Sequence, residues 1–295
     1  MKKFVKIMLI LATVFLAVGI GFSVAGVAMG ATVGSVEVLK DIGDHVSWSS
    51  FVKVVDDDWD WDWDWDDDDA YDEDDRDKKA VASQENGNTR VYEIASAEEL
   101  EIDLKYDELV LKEYDGDTIK VEVTNDSSGK VSVKSDEHEV KITSSGKKNE
   151  RSIQVSYPKG SDFKNLDIEV DAGTVEVSGT IYADEFSVTV GAGEFTGSGD
   201  IAARECDIEV GAGEISLSKL DAYNISGECG MGSMKLGLKG KETDYDYRLE
   251  CGIGEISIGN SEYSGLGAEK SISNGAGRIL ELECGMGEIT VTFEN

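Results

Sequence analysis

Six copies of one short motif, an apolar or cysteine residue followed by Gly-x-Gly and a polar residue, fill the second half of the chain. They read Val190-Gly-Ala-Gly-Glu, Val210-Gly-Ala-Gly-Glu, Cys229-Gly-Met-Gly-Ser, Cys251-Gly-Ile-Gly-Glu and Cys284-Gly-Met-Gly-Glu, preceded by Val170-Asp-Ala-Gly-Thr, where Asp171 replaces the first glycine. The intervals are 20, 20, 19, 22 and then 33 residues. A fixed period near 20 marks a stack of similar units that share one core, because a single unit cannot bury its own apolar face.

The pattern inside one copy shows how a unit is built. Leu166, Ile168, Val170 and Ala172 share one parity, whereas Val175 and Val177 need the same core from the opposite parity. An extra residue therefore enters at Gly173–Thr174, which resets the alternation as a corner or bulge. Glycine is expected there for its backbone freedom. Coils of about 20 residues that hydrogen-bond to the next at strand spacing define a parallel β-solenoid, a single-stranded β-helix.

The cysteines follow from the same alignment. Cys229, Cys251 and Cys284 fall where other copies place Val170, Val190 and Val210, and Cys206 falls where they place Leu166, Phe186 and Ile225. All four are expected inside as apolar fillers, with Cys229 and Cys251 on adjacent coils; none has zinc-site spacing. Just after each corner comes an outward residue: Thr174, Glu194, Glu214, Ser233, Glu255 and Glu288. Stacking aligns Glu194, Glu214, Glu255 and Glu288 into a partial acidic ladder. Such a ladder is either solvated or shares a cation, and Ca²⁺ is the ion whose oxygen preference suits it. The calcium nonapeptide pattern is missing, so no cofactor is assigned.

Upstream of the repeats, Val91–Ile94, Leu100–Leu104, Glu108–Leu111, Ile119–Val123, Val131–Lys134, Glu139–Ile142 and Ile153–Tyr157 alternate apolar and polar, separated by Asp-Gly and Ser-Gly turns. They read as strands of an all-β domain over residues 89–295. Residues 37–88 form a linker. Its segment 56–77 holds 15 acidic side chains and one basic one, with Trp59, Trp61, Trp63 and Trp65 alternating with aspartates. Self-repulsion makes it an extended spacer. Its tryptophans are candidate ligand contacts for cations, basic peptides or sugars.

Residues 1–36 open with three lysines by position 6 and then carry no charge from Ile7 to Val36. That run exceeds the roughly 20 residues a membrane helix needs. The lysines place the start in the cytoplasm and the β domain outside, as a single-pass cell-membrane protein. A cleaved signal peptide competes, with Ala-Met-Gly-Ala at 28–31 as its cleavage site, although the apolar run is long for one. Gly26, Gly30 and Gly34 have GxxxG spacing, but the oligomeric state stays open.

A net charge of −33 excludes a general nucleic-acid binder, which needs basic surface to displace counterions. Charged partners should be cationic, so cell-surface, wall or basic protein partners are expected beside the membrane anchor. The chain has two histidines, His45 and His138, and no nucleophile, zinc or phosphate-loop motif. It is not expected to be an enzyme.

The lysine start and apolar run, the extended β region, Tyr157-Pro-Lys-Gly, the glycine repeats, Tyr263-Ser-Gly-Leu-Gly and the closing Cys284-Gly-Met-Gly-Glu-Ile-Thr-Val carry a resemblance over residues 89–295. The chain resembles the putative-adhesin family of bacterial β-strand-repeat proteins, a domain of unknown function common in Gram-positive membrane-anchored proteins. That resemblance implies a surface-exposed β-solenoid, sometimes linked with envelope-stress systems, and supplies no catalytic or binding residues. The reading is a binding protein of the cell envelope, adhesin-like. The alternatives are an envelope-stress sensor or regulator working with a membrane partner, and a carbohydrate-active β-helix enzyme.

Overall fold

The computed structural model describes residues 78–146, 151–264 and 267–294. The apolar segment before Val36 and the Trp59–Trp65 tract lie outside the described residues. Among the described residues there is no α-helix; a single 3-10 turn, Glu242–Asp244, interrupts an otherwise all-β chain. Every upstream strand read from alternation lies within an observed strand, and the β structure begins earlier, at Lys79–Ala80.

Successive rungs pair in parallel, one repeat apart. Asp162–Val170 lies beside Ile181–Val190 with Leu166 opposite Phe186 and Val170 opposite Val190. That strand lies in turn beside residues 201–210, with Phe186 opposite Cys206. The next step sets Cys206 opposite Ile225 and Val210 opposite Cys229. The strands after the corner stack in the same way, through Val175, Phe195, Ile215 and Met234. Inward parity resets more than once per rung. Ile181 and Ala183 are buried, Asp184 and Glu185 face out, then Phe186, Val188 and Val190 are buried, and after the Gly-x-Gly corner Phe195 is buried again. Each rung in the middle of the stack thus has three short straight runs around a common apolar interior.

The rungs do not all stack in sequence order, which corrects the expectation that each coil pairs with its successor. The C-terminal rung, Arg278–Cys284 with Glu288–Glu294, inserts between the rung at 220–239 and the rung at 245–258. Cys284 therefore separates Cys229 from Cys251, which are not on adjacent rungs. The 33-residue interval holds the cause. Its extra residues form Ser261–Ser264 and Ala268–Ile272, which pair antiparallel on the far edge of Glu255–Ile258 and Tyr245–Cys251. With that edge covered, the last rung has only the inner edge to join. At the other end Glu99–Leu104 with Glu108–Tyr114 sits between the 162–178 rung and the outer strands Glu139–Ser144 and Ser152–Pro158. Antiparallel Val131–Ser135 and Thr118–Thr124 cover those outer strands. Both ends of the parallel stack are therefore capped by antiparallel strands.

The corner glycines act through space rather than backbone freedom, a second correction. None of the motif glycines has a positive φ. A Cβ on the second glycine of a copy would lie 2.2 Å from the carbonyl oxygen of the preceding rung's glycine, as at Gly193 over Gly173 and Gly213 over Gly193. The corner backbone is itself a parallel ladder: Gly191 donates to the Val170 carbonyl at 2.9 Å, Ala192 to Asp171 at 2.7 Å and Glu194 to Gly173 at 2.9 Å. Side chains would force these rungs apart. At the rung 99–114 the corresponding corner residue is Asp107, buried with Arg151. The Arg151 Nε donates to its carboxylate at 2.6 Å and Ser144 donates to its other oxygen. Charge pairing inside the fold thus replaces glycine at that end.

Candidate functional surface

The Gly-x-Gly corners run down one edge of the stack and set three outward columns side by side. The first consists of the residue just before each motif. In pairing order it reads Thr143, Asp103, Glu169, Thr189, Glu209, Glu228, Glu283, Glu250 and Glu269. From Glu209 to Glu269 every rung presents a glutamate, at the roughly 4.8 Å spacing of hydrogen-bonded strands. Like charges directly opposite one another on neighbouring strands are destabilising. Burial, then the charge of Glu169, raises the Glu209 carboxyl above its ordinary value. Burial, then Glu209 and Asp207, does the same for Glu228, and burial, then Glu228, Glu250 and Glu281, for Glu283.

Only the start of this column is neutralised. Lys105 lies 3.6 Å from Asp103 and 3.0 Å from Asp171. Burial alone would lower its pKa, but Asp103, Asp171 and Glu169 outweigh that and hold the ammonium charged. Further ion pairs of this face, among them Lys141–Glu101 at 3.3 Å and Arg248–Glu281 at 3.2 Å, belong to the neighbouring row.

The second column is the middle residue of each corner. By the corner hydrogen bonds it runs Tyr106, Ala172, Ala192, Ala212, Met231, Met286 and Ile253. Every member is apolar or aromatic. Met231 is 39% exposed and Ile253 69%, among the most exposed large apolar side chains described.

The third column holds the four glutamates read from the sequence. Their order is Glu108, Thr174, Glu194, Glu214, Ser233, Glu288 and Glu255. The structure brings Glu194 beside Glu214 and Glu288 beside Glu255, and Ser233 divides the pairs. Their charge is dispersed locally. Lys235 donates to Glu214 at 2.6 Å, Ser257 to Glu255 at 3.1 Å and Thr290 to Glu288 at 3.3 Å. Among the described residues no group of three or more His, Cys, Asp or Glu is placed to hold a metal ion.

The uninterrupted first column went unread because its glutamates look like ordinary outward residues of alternating strands. The signal was present: five of the six motifs are preceded by glutamate, at 169, 209, 228, 250 and 283. The four cysteines are buried free thiols. Cys284 donates to Cys229, which lowers the Cys229 pKa and raises that of Cys284. Burial raises Cys206 and Cys251. None of the four is a nucleophile poised at a surface.

These features define an all-β chain of stacked, glycine-cornered rungs with an acidic outer face. Residues 97–236 match the family model Toastrack DUF4097. No curated protein matches it. Solved structures similar to it include a putative adhesin from Bacteroides fragilis, 14% identical, with 69% of this chain and 95% of that chain covered and a TM-score of 0.38. A putative lipid-binding protein from Parabacteroides distasonis is 14% identical over 70% of this chain and 97% of that one, with a TM-score of 0.41. A putative cell-adhesion protein from Clostridium sporogenes is 14% identical over 72% and 100%, with a TM-score of 0.34.

Proposed function

We propose that the chain acts by binding, as an adhesin-like interaction protein of the cell envelope, held at the membrane by residues 1–36 with the β domain outside. Its fold is read as a parallel β-solenoid of about 20-residue coils, which the repeated one-rung register offsets support. The observation that carries the function is the unrelieved glutamate column from Glu209 to Glu250. A stable fold has no need to stack like charges on consecutive strands, and a cationic partner would offset their cost. Rigid repetition of weak contacts along one face suits multivalent attachment, in which linked sites gain avidity without new chemistry. The chain is read as a non-enzyme.

The test is retention of the full-length chain on cell-wall and membrane fractions, with and without Ca²⁺, and with residues 56–77 deleted. Saturable retention that survives the deletion and falls with Glu228→Gln and Glu283→Gln together is expected. Retention that vanishes with the deletion would move the binding function to the tryptophan-aspartate tract.

A further inference from the structure

The middle residue of the corner changes character along the stack. It is alanine on three successive rungs and then Met231, Met286 and Ile253 on the three that follow. These last side chains project at the edge between two acidic columns: Glu228, Glu283 and Glu250 on one flank, Glu288 and Glu255 on the other. Met231 and Ile253 stand exposed at the corner, and Met286 between them is half-buried. Three in succession, with a carboxylate before each and another after Met286 and Ile253, form an amphipathic edge.

We propose that this edge docks a basic amphipathic helix, with the helix's apolar stripe seated on Met231, Met286 and Ile253 and its flanking Lys or Arg side chains reaching the two glutamate columns. The proposal rests on the binding reading above and adds the class of partner. Spacing and charge select that class. Rungs repeat every ~4.8 Å and a helix turn rises ~5.4 Å, so a helix laid along the edge offers about one apolar side chain per rung over three rungs. An extended segment presents same-side residues every ~6.8 Å and falls out of step. A second copy of this edge would set glutamate columns against each other, and an anionic lipid surface would meet the same repulsion.

Fluorescence anisotropy tests this with the full-length chain and a labelled 18-residue Lys/Leu peptide designed as an amphipathic helix. The controls are a peptide of the same composition in scrambled order and two variants, one joining Met231→Ser, Met286→Ser and Ile253→Ser, the other joining Glu228→Gln, Glu283→Gln and Glu250→Gln. The designed peptide should bind at least about tenfold more tightly than the scrambled one, and each variant should lose about tenfold or more. Because the serine variant alters only corner side chains, none of them fully buried, and retains the whole acidic tract at 56–77, binding through that tract would not respond to it. Equal binding of both peptides, or unchanged affinity of the serine variant, overturns the proposal. So does concentration-dependent self-association that the serine variant abolishes without any peptide binding. Retention on envelope fractions, measured on the same samples, separates the two claims. A chain retained there but blind to the peptide loses only the helix proposal, whereas one that binds neither loses the binding reading as well.

Discussion

Two glutamate columns flank the same corner, five residues apart in sequence, yet they handle their charge differently. After the corner, Ser233 breaks the run, Lys235 pairs with Glu214, and hydroxyls of Ser257 and Thr290 bond to Glu255 and Glu288. Before it, Glu209, Glu228, Glu283 and Glu250 follow one another without interruption, and the carboxyls of the first three are pushed upward by burial and then by neighbouring acidic charge, that of Glu169 in the case of Glu209. Identical residue types at an identical strand spacing therefore do not make equivalent surfaces. One column is compensated within the fold, and the other is left to be compensated from outside.

Both columns exist only while the corner holds the rungs in register, so the largest expected effect comes from the corner. Gly213→Val or Gly232→Val places a side chain where even a Cβ would lie 2.2 Å from the carbonyl below. A loss of about 3 kcal/mol, read by chemical denaturation, is expected for such overpacking. Stability that stayed unchanged would mean the columns do not depend on corner contact.

The next effect separates the columns by pH. Glutamates whose folded pKa is raised bind protons more tightly in the folded state, so their penalty is present at neutral pH. It shrinks as pH falls through the raised value toward the ordinary 4.5. The melting temperature should therefore rise on mild acidification. At lower pH the trend reverses, because backbone N–H bonds to Asp136 depress its pKa, and its stabilisation is lost on protonation. A melting temperature that fell steadily from neutral pH would contradict the unrelieved column.

Single substitutions sharpen the contrast with smaller effects. Glu228→Gln or Glu283→Gln should stabilise the fold by about 0.2–1 kcal/mol, the scale of a cross-strand charge pair. Glu214→Gln should be neutral or slightly destabilising, since it removes an exposed, solvent-screened pair with Lys235. Opposite signs in matched melts are the expected outcome, and equal signs would merge the two columns. Raised salt should shrink the gain from Glu228→Gln by screening the same repulsion.

Much of this architecture was legible in the repeats. Motif spacing placed the corners, the parity reset placed the inward side chains, and the alignment put Cys206 opposite Phe186 and Ile225 as observed. Three things were not legible. Strand order at the ends depends on which edge the antiparallel pair at 261–272 covers, and the 33-residue interval carried only its length. The second motif glycine looked like a hinge because only coordinates reveal the oxygen 2.2 Å away. The buried Asp107–Arg151 pair joins residues 44 apart on strands that alternation identifies but does not align. Of the functional surface, the sequence yielded the compensated column. Its uncompensated neighbour was hidden in plain alternation, and the apolar edge between them was split among motifs that share no residue type beyond alanine and methionine.

The most direct test is a pair of double-mutant cycles at low ionic strength, with glutamine at Glu228 and Glu283 in one and at Glu228 and Glu250 in the other. The insertion of the C-terminal rung makes Glu283 the neighbour of both, so the first cycle should show a coupling of about 0.2–1 kcal/mol and the second a clearly smaller one. Coupling between Glu228 and Glu250 with none between Glu228 and Glu283 would mean that the rungs stack in sequence order, and the column described here would not exist in this form.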